Sequence, residues 1–176
     1  IANPQCFTEN QTSEIRYHEG LTPKESAQEI IRHVSDGLAM AEKHGLPAEI
    51  KDFIVSDHGT TSTGYFLTQS LNDGGNPDEV SEFYYDGMRP VTKEQVVLMI
   101  CDAVEAASRS LKDYSQESIS GLVDRIVDGK ATEDQFDDAD ISLREVSTMK
   151  DTIKSYLQQM YHSRISYPKM KAKAGK

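Results

Sequence analysis

Four helix starts can be read from a Ser or Thr set three residues ahead of a Glu or Gln beside an apolar stretch. The pairs are Thr22–Glu25, Thr92–Gln95, Thr132–Gln135 and Ser142–Glu145. In such a pair the hydroxyl accepts from an otherwise unbonded amide of the first turn, and the longer side chain accepts from the cap amide. Each pair therefore marks a helix start. From Thr22, with Pro23 at the first helical position, Ala27, Ile30, Ile31, Val34, Leu38 and Ala41 recur at intervals of three and four and make one apolar face. That helix should stop in KHGLP, where Gly45 suits a left-handed C-terminal residue and Pro47 opens the next helix, running to about Ser56 with Ile50, Phe53 and Ile54.

The same spacing predicts three more helices. The one from Thr92 is almost continuously apolar through VVLMICDAVEAA and is expected to cross the centre of the domain. Another covers roughly 116–128, with Ile119, Leu122, Val123, Ile126 and Val127 on one face, and the last covers 143–162, with Val146, Met149, Ile153, Tyr156, Leu157 and Met160. No stretch alternates with period two, so the fold class is all-α. Residues 72–90 hold Gly, Pro, five acids and three aromatics and are expected to form a long surface loop or flap. The tail PKMKAKAGK is basic and aperiodic, and residues 169–176 are expected to be disordered.

The formal net charge of −10 over 176 residues excludes a DNA- or RNA-binding role built on clustered Lys and Arg, but leaves room for a small phosphorylated ligand held by one Arg or a cation. No apolar run approaches the roughly 18–20 residues of a membrane span. The two cysteines, Cys6 and Cys101, are far apart among apolar residues and are expected to be free, buried thiols of a reducing compartment, with a disulfide as the alternative.

Five residues stand out for chemistry. His33 lies at the edge of the first helix's apolar face. His58 follows Asp57 just after the second helix, where Gly59 lets the chain turn. Asp102 falls inside the most hydrophobic helix, and a carboxylate buried there needs a metal ion, a helix terminus or an Arg such as Arg109. His, His and Asp form a donor set suited to divalent metals, yet the spacing contains no HxxxH or HExxH, so each residue taken singly keeps a structural explanation. Arg109 also reads as a helix-end ion pair. Tyr65, Tyr84 and Tyr85 read as core or loop aromatics, His162 as a cap of the last helix, and His18 and His44 as surface residues.

The runs CDAVEAASRSL, FIVSDHGTT followed by YF, HVSDGLAMAEKHGLP and YHSRISYP resemble the HD domain of the PgpH family of bacterial seven-span membrane receptors, and NPQCFTENQ resembles the segment that follows that family's His-Asp pair. The likeness covers Asn3 to Pro168. It implies an all-α phosphohydrolase with two divalent metal ions, Fe or Mn, that hydrolyses cyclic di-AMP to the linear dinucleotide, on the cytoplasmic side of the inner membrane. It carries over His33, His58 and Asp102 as metal ligands. It also places Asp57 where the family usually has a second His, so an oxygen replaces a nitrogen donor. Arg109 and Arg164 are suited to bind phosphate, with Ser108 adding a hydroxyl donor, though Arg164 also reads as a structural pair with an acid, and Tyr65, like Tyr84 and Tyr85, is suited to stack on adenine.

The family's upstream His and its His-Asp pair have no match here. Residues 1–168 are therefore expected to be the C-terminal part of a single HD domain, binding at most one ion weakly, with little turnover alone and with uncovered apolar surface favouring a homo-oligomer. A membrane attachment would come only through preceding segments. The alternative is a degenerate HD domain that binds a nucleotide or a protein without hydrolysis.

Overall fold

The boxes at Thr22, Thr92 and Ser142 each open a helix in the computed structural model of the protein, which describes residues 17–162. After a short 3-10 turn at Tyr17–Gly20, helix α1 (Pro23–Lys43) starts where the Glu25 amide donates to Thr22 Oγ1 (3.2 Å) and the Thr22 amide donates to Glu25 Oε2 (2.7 Å). It ends as expected, with Gly45 at φ 65° and the Leu46 amide folding back onto the Ala41 carbonyl. Helix α2 (Ala48–Ser56) follows, then α3 (Gly64–Asn72). Periodicity did not suggest α3: its nine residues interleave Thr, Gln and Ser with the apolar ones. So short a helix is held by packing on α1, not by propensity.

The reciprocal Thr92–Gln95 cap opens α4 (Lys93–Ser108), and the Ser142–Glu145 box opens α6 (Leu143–His162). Between them α5 (Gln116–Thr132) begins at Ser115. The Thr132–Gln135 pair opens no helix, contrary to expectation, because Thr132 is the last residue of α5 and its hydroxyl donates to the Asp128 carbonyl one turn back (2.8 Å). The chain then reverses through Asp134 at φ 58°, and the Gln135 amide closes the turn on the Lys130 carbonyl.

No regular strand occurs among the described residues; a single antiparallel bridge joins Ser62 and Tyr84. Residues 72–90 are not an open flap. They contain a 3-10 helix at Pro77–Phe83 and bury Phe83, Tyr85 and Pro90. Backbone bonds from Thr63 to the Phe83 carbonyl, from Tyr85 to the Thr61 carbonyl and from Met88 to the Val55 carbonyl lay this segment along the connection after α2. Gly87 permits that approach: a Cβ there would stand 2.5 Å from both the Gly59 and the Val55 carbonyl oxygens.

The core lies among α4, α5 and α6, where Val96, Ile100, Val104, Ile119, Val123 and Val127 are essentially inaccessible and Met149 and Leu157 close the far side. Each such side chain contributes on the order of 1.5–3 kcal/mol of burial. The α1–α3 half has a thinner interior, with Ala27 and Ala41 as the only fully buried apolar residues of α1. The two halves meet where α2 packs on α4. Helix α4 is not wholly interior. Its buried face is Gln95, Val96, Met99, Ile100, Val104 and Ser108, while Val97, Leu98, Cys101 and Asp102 are exposed. Cys101 is thus a free thiol as expected, but exposed rather than buried, and Cys6 lies outside the described residues.

Candidate metal centre

The seam between the halves collects four residues from three places in the chain. His33 stands in mid-α1, Asp57 and His58 follow the end of α2, and Asp102 comes from α4. Nε2 of His33 lies 3.1 Å from Nε2 of His58, the rings meeting nearly edge to face. Ligand atoms of Asp57, His58 and Asp102 all lie within 4.8 Å of one another. Asp57, His58 and Asp102 therefore converge as a group of three, and His33 adjoins it through His58.

Their orientations suit donation to a cation. Nδ1–H of His33 donates to the Ile30 carbonyl of its own helix, which turns the Nε2 lone pair toward His58. Burial, reinforced by the positive fields of His33 and Lys130, pushes His58 down to about 3, so its imidazole is neutral at pH 7. Asp57 moves the other way, up to about 6, through burial and then through the facing Asp102 carboxylate, with His33 and Lys130 opposing. Its Oδ1 is buried and has no hydrogen-bond partner among the described residues. A buried carboxylate oxygen without a donor, beside a second carboxylate and two converging imidazole nitrogens, is what a divalent cation satisfies. The residues present fit a metal ion.

Asp102 reaches this cluster from the exposed face of α4, which corrects the expectation of a buried carboxylate. The core-facing positions of that helix are Val96, Ile100 and Val104, and Asp102 falls between them on the opposite side. Arg109 does not take the role of its partner ion: Nη2 and Nε of Arg109 bond Glu105 Oε1 at 2.7 and 3.0 Å, the helix-end pair. At 3.6 residues per turn, Arg109 still lies on the same face as Asp102, about two turns and roughly 10 Å further along.

The remaining candidates are more dispersed. The buried Ser108 hydroxyl donates to the Glu105 carbonyl and shares a 3.0 Å bond with Tyr161 Oη, so it is engaged with α6. Tyr65 is 76% exposed on α3, edge-on to Phe66. Tyr85 is buried and stacks on His58, with centroids 4.5 Å apart, so this ring supports a ligand instead of standing free for a base. Its phenol is driven well above its usual range by burial and by the two aspartates. Arg164 lies outside the described residues. Beside His58 opens a cavity of about 330 Å³, walled by Ile31, Val34 and Leu38 of α1, Val55 of α2 and residues 85–87.

Two further residues at this seam were not read as site residues in the sequence. Lys130, whose ammonium is pushed below its usual range by burial, donates to Thr61 Oγ1 (2.8 Å). Gln135 is 1% exposed and reaches Thr60. Lys130 falls in register with Val123, Ile126 and Val127 on the apolar face of α5, so a lysine at a core-facing position was a signal that spacing could have supplied, whereas Gln135 only mimics a helix cap.

The fold and this cluster define an all-helical domain with a His/Asp group that could hold a metal ion. No protein-family model matches the chain. Crystal structures of the Listeria monocytogenes phosphodiesterase PgpH HD domain do match. One superposes with a TM-score of 0.84 at 32% identity, covering 92% of this chain and 75% of that one. The other, in complex with cyclic-di-AMP, gives 0.86 at 33% identity, covering 91% and 74%. The cyclic-di-AMP phosphodiesterase PgpH of L. monocytogenes serotype 1/2a (strain 10403S) is 35% identical over 166 residues, 94% of this chain but 23% of that protein. The chain belongs to the PgpH family of HD domains, and it spans about a quarter of the length of that full-length relative. Among the described residues no helix is long and apolar enough to cross a membrane.

Proposed function

We propose that the chain is part of a metal-dependent phosphodiesterase domain acting on a cyclic dinucleotide, with cyclic di-AMP hydrolysed to its linear form. The observation that carries this reading is the grouping of Asp57, His58 and Asp102, with His33 against His58, in a domain whose relative has been crystallised with cyclic-di-AMP. A divalent ion held there, Mn or Fe by the family resemblance, would supply Lewis-acid charge to phosphodiester oxygens and lower the pKa of water. In this reading these residues hold at most one ion. The remainder of a two-ion site would come from residues that are not among these.

The chain's own groups divide the other work. His33 and His58 present imidazole nitrogens, and Asp57 and Asp102 present the negative charge that offsets the cation. Arg109, two turns from Asp102 on an exposed face, is placed to exchange its Glu105 partner for a phosphate, a bidentate match for guanidinium. The cavity beside His58 accepts an apolar ring, and the exposed Tyr65 offers a second stacking surface. In the reaction a water oxygen bonds to phosphorus, the bond from phosphorus to the 3′ oxygen breaks, and that oxygen leaves with a proton. The product is a linear dinucleotide with one terminal phosphate. In the full-length protein this chemistry would face the cytoplasm, on a domain joined to membrane-spanning segments.

Asp57, standing where the family usually has a His, favours the second reading, a domain that binds the nucleotide without cleaving it. Calorimetric titration of cyclic di-AMP in Mn²⁺, together with chromatographic detection of the linear product, separates the two. Mn²⁺-dependent binding that H58A abolishes supports the site. Product formation, by this chain or by a version extended upstream, supports hydrolysis, and binding without product in either supports the sensor. No Mn²⁺-dependent binding overturns both.

A further inference from the structure

The geometry points to Gln135 as a positioning residue for the metal centre, acting through the Gly59–Thr61 turn with Lys130 as its second anchor; this rests on the metal reading above. Asp57 and His58 are at the end of a short helix, where the chain would be free to splay. The turn after His58 is held from a different part of the fold. Gln135 Oε1 accepts from the Thr60 amide (3.1 Å), and its Nε2 donates to Thr60 Oγ1 (2.9 Å) and to the Glu133 carbonyl (2.7 Å). The whole side-chain amide is therefore satisfied inside the protein, at 1% exposure.

One residue further on, Lys130 Nζ donates to Thr61 Oγ1, and that hydroxyl donates to the His58 carbonyl (2.8 Å). The path from α5 to His58 thus runs through one hydroxyl. The turn is shaped for this contact on both sides. Gly59 has φ 56°, and a Cβ on it would stand 2.1 Å from Gln135 Oε1, so the amide occupies the space a side chain would need. Across the seam, Asp134 is the one non-glycine residue at positive φ among those described, and that unfavourable conformation aims Gln135 at Thr60. Conformational strain on one side of the seam and a missing side chain on the other meet at a single amide. Neither Gln135 nor Lys130 is in the ligand set; their effect passes through the backbone that carries His58, as outer partners do at metal sites.

The test uses the whole chain and Gln135→Met, which keeps the volume and removes the polar contacts. Mn²⁺ affinity by electron paramagnetic resonance should fall about tenfold or more. Amide exchange followed by NMR should rise about tenfold at Thr60 and Thr61 while α5 and α6 keep their protection, a local opening that general destabilisation would not produce. Should Gln135→Met fail to fold, Thr60→Val, at an exposed position, removes the hydroxyl partner and should shift both readouts in the same direction by a smaller factor. Wild-type Mn²⁺ binding that the variants retain within twofold, or exchange that rises uniformly, overturns the inference and leaves the metal site standing. No Mn²⁺ binding by the wild-type chain overturns the metal site and this inference with it.

Discussion

Replacing Gly59 by Ala perturbs one methyl group and should be felt in three ways. The backbone at φ 56° is a left-handed conformation, which costs an L-residue on the order of 1–2 kcal/mol. The new Cβ would be 2.1 Å from Gln135 Oε1 and 2.9 Å from Met99 Cε. The flexible Met99 terminus can move aside, but Gln135 must rotate and give up its bonds to the Thr60 amide and hydroxyl, each worth about 1 kcal/mol net. Loss of glycine's freedom in the unfolded chain offsets about 0.4–1 kcal/mol of this. The balance is a destabilisation of about 3 kcal/mol. For a chain of this size that is roughly 6–12 °C in Tm by thermal circular dichroism. A fall of less than about 2 °C would show that the turn accommodates a side chain and that Gln135 does not fill the space beneath it.

Three further outcomes are expected. Asp57→His should raise Zn²⁺ affinity relative to Mn²⁺, because imidazole replaces a hard oxygen donor; an unchanged ratio in competition titrations would remove Asp57 from the ligand set. Ile100→Ala, at a fully buried position of the α4–α6 core, should cost about 2–5 kcal/mol in denaturant unfolding, whereas Leu98→Ala on the exposed face of the same helix should cost well under 1 kcal/mol. Glu145, held down to about 2 by its bond from Lys93 and by Ser142, contributes stability that is complete above about 4.5 and is lost as pH falls through about 2. Glu145→Gln should therefore flatten the acid side of the Tm profile in that window; an unaltered profile would contradict the pairing.

Helix identity was legible where two independent signals coincided. Around Thr22 a reciprocal cap, Pro23 and an apolar stripe all agreed, and α1 ends at Gly45 as the spacing demands. The pair Thr132–Gln135 had the cap pattern alone, and the stronger local interaction, α5 continuing from Ser115 with Thr132 bonded back to Asp128, prevailed. Helix α3 and the burial of Tyr85 depend on contacts between segments distant in sequence, which no local pattern encodes. The same division applies to the site. His33, Asp57, His58 and Asp102 were identifiable by residue type and by family resemblance. That Asp102 comes from the exposed side of α4 follows from a register in which Val96, Ile100 and Val104 face inward, a choice an almost continuously apolar helix leaves open. Gln135 was legible only as a cap, because its partner Thr60 stands across the seam, while Lys130 was visible as a lysine on the apolar face of α5, though not what it bonds.

The most direct measurement is anomalous X-ray scattering from crystals of the chain soaked in Mn²⁺. A single strong peak within coordination distance of His33 Nε2, His58 Nε2 and carboxylate oxygens of both Asp57 and Asp102 is the expected result. A map with no peak at the seam, or with Mn²⁺ bound only to surface carboxylates elsewhere, would contradict the claim that these four residues form a metal centre.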